Sequence, residues 1–416
     1  MKDFKKLFKL QWKKNAIWLI LLIIGSLLIN TLTFKSYTKD IYRGLTNSVE
    51  SFEESLDIKK DKRIKKPKEI DKSYIEYGDK LRDKLVEKYG IIPNEELMSM
   101  ETDEIDKYYA KDRSMEFNTI DSKVANYDVR RDQLLNGNSE NNLFSQYTNF
   151  FIFPFLFILA MLLTSIEQMT NYFDFTRMYP WSKTKDFAMK LVFGLLLTLV
   201  VYLLHIGIEQ VMMKTSGLAK LYTSSGLARF FVKELILYWI FFVIFLSTGA
   251  MSGNIFGHFG LNIIAFGLFE LSVFDISTIQ TVINGLDYGP TIMTGFDEFL
   301  AKQEGVLLYL LSPLRDFNLS NEMLIAHGII AALVFILAYF IVKHMKTENS
   351  GYMVINRPLK IFSQTLASLT LTALIFNIVT STFVDYNVYI GIVLYLFLLF
   401  VSYKLFKALF NIKIKV

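Results

Sequence analysis

Glu209, Lys233, Glu234 and Glu270 stand within long apolar runs. A charge deep in a bilayer is costly unless it is paired, hydrated or neutralised, so ionisable residues in such places either serve a pathway or are satisfied structurally. All four fall toward the outer ends of their runs. This leaves open the rim of a substrate pathway, or a structural arrangement such as a Glu209–Lys233 pair or side chains that snorkel to the interface. Other chemistry lacks its residues. His205, His258, His327 and His344 lie on separate elements with no second ligand at helical spacing, and no H-E-x-x-H occurs, so no metal site is expected. Cysteine is absent, which removes disulfide, zinc-thiolate and thiol chemistry. There is no G-x-x-x-x-G-K-[ST] loop to cradle phosphates and no G-x-S-x-G elbow. An enzyme acting on lipid or cell wall would need a clustered acid–base pair, and none is apparent. The expectation is a protein without catalytic residues and without a cofactor of its own.

The second constellation is NYFDFTRMYPWSKTKDFAMK, residues 171–190, polar, basic and aromatic between two apolar spans. Tyr179, Pro180 and Trp181 read as a turn. Ser182 then reads as the N-cap of a short helix, with Asp186 in its first turns and Lys190 leading into the next span. Arg177, Lys183, Lys185 and Lys190 suit a cytoplasmic loop. A helix on that face with aromatic anchors beside it can dock in the groove of a soluble partner; an ordinary interfacial loop with belt aromatics is the other reading.

The elements that must position these residues are membrane spans. Of 416 residues 52% are hydrophobic, mean hydropathy is +0.32, and the apolar residues are gathered into runs too long for a soluble core. The continuous runs favour a helical bundle over a β-barrel, whose segments alternate. The pattern predicts an all-α polytopic membrane protein with about eight transmembrane helices: 16–34, 148–165, 187–213, 229–248, a fifth ending near 274, 323–342, 362–382 and 388–406. Residues 1–15, with six lysines among Phe4, Leu7, Phe8 and Trp12, read as a cytoplasmic interfacial amphipathic helix or a plain basic flank. The basic flanks place both termini in the cytoplasm by the positive-inside rule.

Residues 35–147 form a hydrophilic insert with 24 acidic and 21 basic residues, against 16 and 24 in the rest of the chain. The basic residues thus gather at span ends as topology signals, and no nucleic-acid partner is implied. Three helical stripes mark the insert as an extracytoplasmic helical domain: Tyr42, Leu45, Val49, Phe52 and Leu56; Tyr74, Tyr77, Leu81 and Leu85; and Phe117, Ile120, Val124 and Tyr127. The run KKDKRIKKPK after the first stripe is the expected break. Residues 148–275 then carry spans two to five, 276–322 an extracytoplasmic or re-entrant loop, and 323–416 spans six to eight with a cytoplasmic tail. The apolar piece EGVLLYLLSPL within 276–322 is too short to cross.

The basic helix FKKLFKLQWKKN, the first span, and YPWSKTKDFAMK after the second resemble the permease subunits of ABC-2 type exporters, and KTENSGYMVINRPLKIF looks like a loop of their larger Gram-positive members. Two departures stand out: this chain has eight spans where six are usual, and a long segment between the first two. The resemblance implies a coupling helix at Tyr179, Pro180, Trp181, Ser182, Lys183 and Asp186 that sits on a cytoplasmic ABC ATPase subunit. It also implies two copies of that subunit carrying ATP and Mg, a second permease protomer as homodimer partner, and contact with membrane lipid. Among such permeases the chain most resembles those exporting phenol-soluble modulins, amphipathic cytolytic peptides, so export of or resistance to such peptides is expected. The alternatives are a membrane sensor that detects peptide through the outside domain without moving it, and an exporter of lipid, glycan or small-molecule antibiotic.

Overall fold

The computed structural model describes residues 2–92, 115–135, 145–170, 182–221, 227–285, 292–315, 319–382 and 387–415. The helices are α1 (Lys2–Ser55), α2 (Lys72–Tyr89), α3 (Met115–Leu135), α4 (Ser145–Leu163), α5 (Ser165–Met169), α6 (Lys183–Lys214) and α7 (Leu227–Met251), followed by α8 (Ile255–Asn284), α9 (Ile292–Ala301), α10 (Val306–Leu311), α11 (Asn321–His344), α12 (Arg357–Thr382) and α13 (Val388–Asn411). Among the described residues no strand forms, and one antiparallel bridge joins Ser252 to Val354. Among the described residues eight segments are long and apolar enough to cross a membrane: α1, Ile152–Met169, α6, α7, α8, α11, α12 and α13. The protein is an all-α polytopic membrane protein.

Three helices differ in extent from the sequence reading. The N-terminal amphipathic stretch is not a separate interfacial helix but the first turns of α1, which runs unbroken for 54 residues, roughly 80 Å at ~1.5 Å per residue. Neither Gly nor Pro interrupts it until Gly25, and Asn15 bonds back to Gln11 within the helix at 3.3 Å. The short helix expected after Ser182 is likewise continuous with the third span in α6, because nothing between Ser182 and Lys190 breaks it. The fifth span does not stop near residue 274. Asp275 is buried and accepts from Thr370 of α12 at 3.2 Å, so α8 continues to Gly285, whose positive φ of 89° ends it.

The chain divides into two compact units, one comprising residues 24–151 and 201–232, the other the remainder. In the first unit, the part of α1 beyond the apolar run packs with α2, α3 and the turn after α6. The core gathers residues from all three stripes, among them Leu45, Val49, Phe52, Leu81, Leu85, Ile120, Val124 and Tyr127, and adds Met213, Leu218 and Leu221. The basic run folds back along α1: Arg63 pairs with Glu54 at 3.0 Å, Lys66 pairs with Glu50 at 2.8 Å, and the Tyr42 hydroxyl donates to the Pro67 carbonyl. Asp71 then caps α2 by accepting from the Tyr74 amide at 3.0 Å. Buried Glu53 accepts from Tyr77 at 2.7 Å and from the Ile64 amide at 2.9 Å; burial, then Glu53, pushes the Tyr77 phenol up to about 12, so it remains a donor. Arg82 of α2 forks onto Asp128 of α3 at 3.1 and 2.7 Å.

The second unit holds the first turns of α1, α4 from Ile152, α5, the start of α6, and α7 from Lys233 through α13. The chain between α7 and α8 pairs with the segment before α12: Gly351 donates to the Gly253 carbonyl at 2.9 Å and Ile355 to that of Met251 at 3.2 Å. Ile414 of the tail donates to Gly351 at 2.9 Å, which gathers three connections at one place.

Candidate functional site at the base of segment 171–181

α4 ends at Leu163, Thr164 leaves the helical conformation with φ −128° and ψ −85°, and α5 carries Glu167 and Gln168 just before the segment. On the far side of the segment, the Ser182 hydroxyl accepts from the Lys185 amide at 3.3 Å, as an N-cap does. Asp186 lies in the first turn of α6, where the helix dipole favours an anion.

Glu167 joins the two sides. Its Oε2 lies 2.9 Å from the Lys190 ammonium and 3.0 Å from that of Lys14 in α1, and Lys190 also meets Asp186 at 3.1 Å, one turn back. The side chains of Glu167 and Lys190 are only 1% and 6% exposed, and those of Lys14 and Asp186 14% and 16%. Two ammoniums and two carboxylates balance to zero. Burying them is tolerable only in this geometry, since removing one partner of such a group leaves a charge without compensation. Residues before and after the segment are therefore tied to one another and to the N-terminal helix through a single carboxylate.

Further contacts fix this base in place. Lys183 donates to the Met345 carbonyl at the end of α11, and Phe187 stacks on Phe335 of α11 with centroids 5.5 Å apart. Gln168 reaches the carbonyls of Gly249 and Ala250 in α7 at 3.5 Å. Gly249 is required there, because a Cβ would strike the Thr164 hydroxyl and the His258 ring. His258 lies between a Ser165 hydroxyl at 2.9 Å and the Phe245 carbonyl at 2.8 Å. All three groups are buried and the pair serves as a structural clasp among α5, α7 and α8. Phe8 and Trp12 of α1 pack on Phe193 of α6, at 4.9 and 6.5 Å between centroids.

Of the residues singled out from sequence, Ser182, Lys183 and Asp186 belong to this base, while Tyr179, Pro180 and Trp181 lie outside the described residues. Lys14, Glu167 and Lys190 complete it and were not read as a group. The signal was present: Glu167 follows an apolar run by a few residues and precedes a lysine-bearing stretch, but pairing across 153 and 23 residues needs the packed helices.

The intramembrane ionisable residues each find a partner within their own unit. Glu209 accepts from the Asn30 amide at 2.9 Å in the first, and Lys233 donates to the Leu319 carbonyl at 3.3 Å in the second. The Glu209 contact follows from helix register. Asn30 and Ser26 are four apart on α1, and they meet Glu209 and His205, four apart on α6, as two polar rungs; Ser26 and His205 are 3.1 Å apart. Glu234 accepts from Tyr238 one turn along its own helix at 2.8 Å, and Glu270 accepts from the Ser312 hydroxyl. Among the described residues no cluster of three or more metal-ligating groups occurs. Compared with protein-family models, with curated proteins and with solved structures, the chain matches none.

Proposed function

We propose that this chain is the membrane-spanning permease subunit of an ATP-driven exporter of the ABC-2 type, in the cytoplasmic membrane of a bacterium with both termini inside. Hydrolysis takes place on a separate ATPase subunit, which docks on residues 171–190. The observation that carries this reading is the buried carboxylate of Glu167, just before the docking segment, which binds Lys190 at the segment's far end and Lys14 of α1. A displacement of the segment cannot be absorbed by one span alone. It moves α5, the first turns of α6 and the Lys14 turn of α1 together, which is what a coupling element requires. The cargo in this reading is an amphipathic peptide, the class exported by the permeases the sequence most resembles, and the working unit is two permeases with two ATPases.

Replacing Pro180 and Trp181 by Ala tests the docking role. Loss of an aromatic anchor at an interface centre costs about 2 kcal/mol or more. The P180A/W181A chain should therefore insert normally, bind the ATPase subunit more weakly and lose peptide-stimulated ATP hydrolysis and export. Wild-type hydrolysis and export in that variant would sink the docking role.

A further inference from the structure

An apolar cavity of about 240 Å³ opens between α8, α12 and α13, lined by Gly260, Leu271, Val354, Ala367 and Phe410 among others. It exceeds the roughly 150 Å³ of an apolar cavity that takes up benzene. One polar atom breaks its apolar wall with no partner: the Ser363 hydroxyl lines the cavity, is 2% exposed and makes no hydrogen bond. One turn before Ser363 on α12 stands Lys360, and one turn beyond Phe410 on the chain leaving α13 stands Lys413. Both ammoniums converge on a single ring, each 5.6 Å from the centroid of Tyr352.

Neither ammonium meets a carboxylate among the described residues. Lys360 donates to the Asn411 side chain at 2.6 Å, and Lys413 to the main-chain carbonyl of Glu348 at 3.1 Å. The surroundings are equally one-sided: residues 343–360 and 404–415 carry eight lysines and arginines and one acid, Glu348. Two ammoniums beside one ring, with no carboxylate near them among the described residues, leave a local excess of positive charge that an anion offsets. Along α12 the order is ammonium, hydroxyl, then apolar wall, which matches phosphate, glycerol and acyl chain. Basic pockets between transmembrane helices recognise anionic headgroups in this way.

We propose that this crevice is a binding site for an anionic phospholipid, with the phosphate at Lys360 and Lys413, the glycerol region at Ser363 and one acyl chain in the cavity. The site shares none of the ion-pairing residues at the base of segment 171–181 and does not depend on the exporter reading. The test is native mass spectrometry of the full chain, delipidated and then offered phosphatidylglycerol or phosphatidylcholine with the same acyl chains. Wild type should retain phosphatidylglycerol preferentially, and K360Q/K413Q should lower that preference roughly thirtyfold, about the worth of two lysines near a headgroup. A367F, which fills the cavity, should lower retention of both lipids, and K35Q/K39Q, which changes two exposed lysines of the other unit, should leave the preference intact.

Equal retention of the two lipids by wild type would overturn the proposal, as would a preference unchanged in K360Q/K413Q or equally reduced in K35Q/K39Q. Full competition by glycerol 3-phosphate, which lacks acyl chains, would also overturn it by reducing the site to a phosphate site. Should A367F fail to fold, the two lysine variants, which alter partly or fully exposed side chains, still decide the question.

Discussion

Neutralising Glu167 should be strongly destabilising although the change is conservative in size. Glu167→Gln keeps the size and an acceptor oxygen but removes the charge shared by the Lys14 and Lys190 ammoniums at 3.0 and 2.9 Å. The buried group then carries two cations against Asp186 alone. Breaking a buried ion pair by removing one partner costs about 3–5 kcal/mol, and because Lys14 and Asp186 keep some solvent access, the lower end, about 3 kcal/mol, is expected. Adding Lys14→Met restores neutrality, so the K14M/E167Q chain should be more stable than the sum of its single changes by about 1–3 kcal/mol. Helicity followed through an SDS titration in mixed micelles measures both quantities, compared at equal transition slopes. A loss within about 0.5 kcal/mol for E167Q, the ordinary range of a surface change, would refute the reasoning. So would simple additivity of K14M and E167Q.

Other expectations concern the first unit. Asn30→Ala removes the donor to Glu209 between α1 and α6, and interhelical hydrogen bonds of this kind are worth about 0.6–2 kcal/mol, readable in the same titration; Asn30→Asp, which sets two carboxyls together, should cost more near neutral pH. The Ser73 hydroxyl and the Tyr74 amide hold the Asp71 carboxyl below the usual carboxylate range. A carboxyl depressed in the folded state stabilises fully above its unfolded value of about 3.9 and ceases to do so as pH falls through the folded value. Amide exchange at Tyr74 and Ile75 should therefore quicken in strong acid relative to neighbouring turns of α2, and Asp71→Asn should abolish that difference.

Much of the architecture was legible in residue periodicity. The three stripes between residues 42 and 127 all enter one core, because helical spacing of apolar residues in a polar stretch leaves few other ways to bury them. Span number followed from run length. Boundaries were less legible where a polar residue is satisfied by another helix: Asp275 resembles the end of a span in sequence, yet Thr370 accommodates it and α8 continues. The same limit governed the ionisable residues. Ser26 with Asn30 and His205 with Glu209 each show a four-residue spacing inside apolar runs, which marks two polar faces but not that they face each other. At the candidate site, the cap at Ser182 was readable from local sequence. The Glu167 junction was not, since it depends on three helices meeting.

The docking of an ATPase on residues 171–190 is tested most directly by placing a photo-crosslinking amino acid at position 181 in the full chain and irradiating native membranes. A permease should yield one dominant adduct with a nucleotide-binding subunit that carries a phosphate-binding loop, and P180A should weaken that adduct. Adducts with lipid alone, or with proteins lacking such a loop, would contradict the exporter assignment and leave the Glu167 junction as a purely structural clasp.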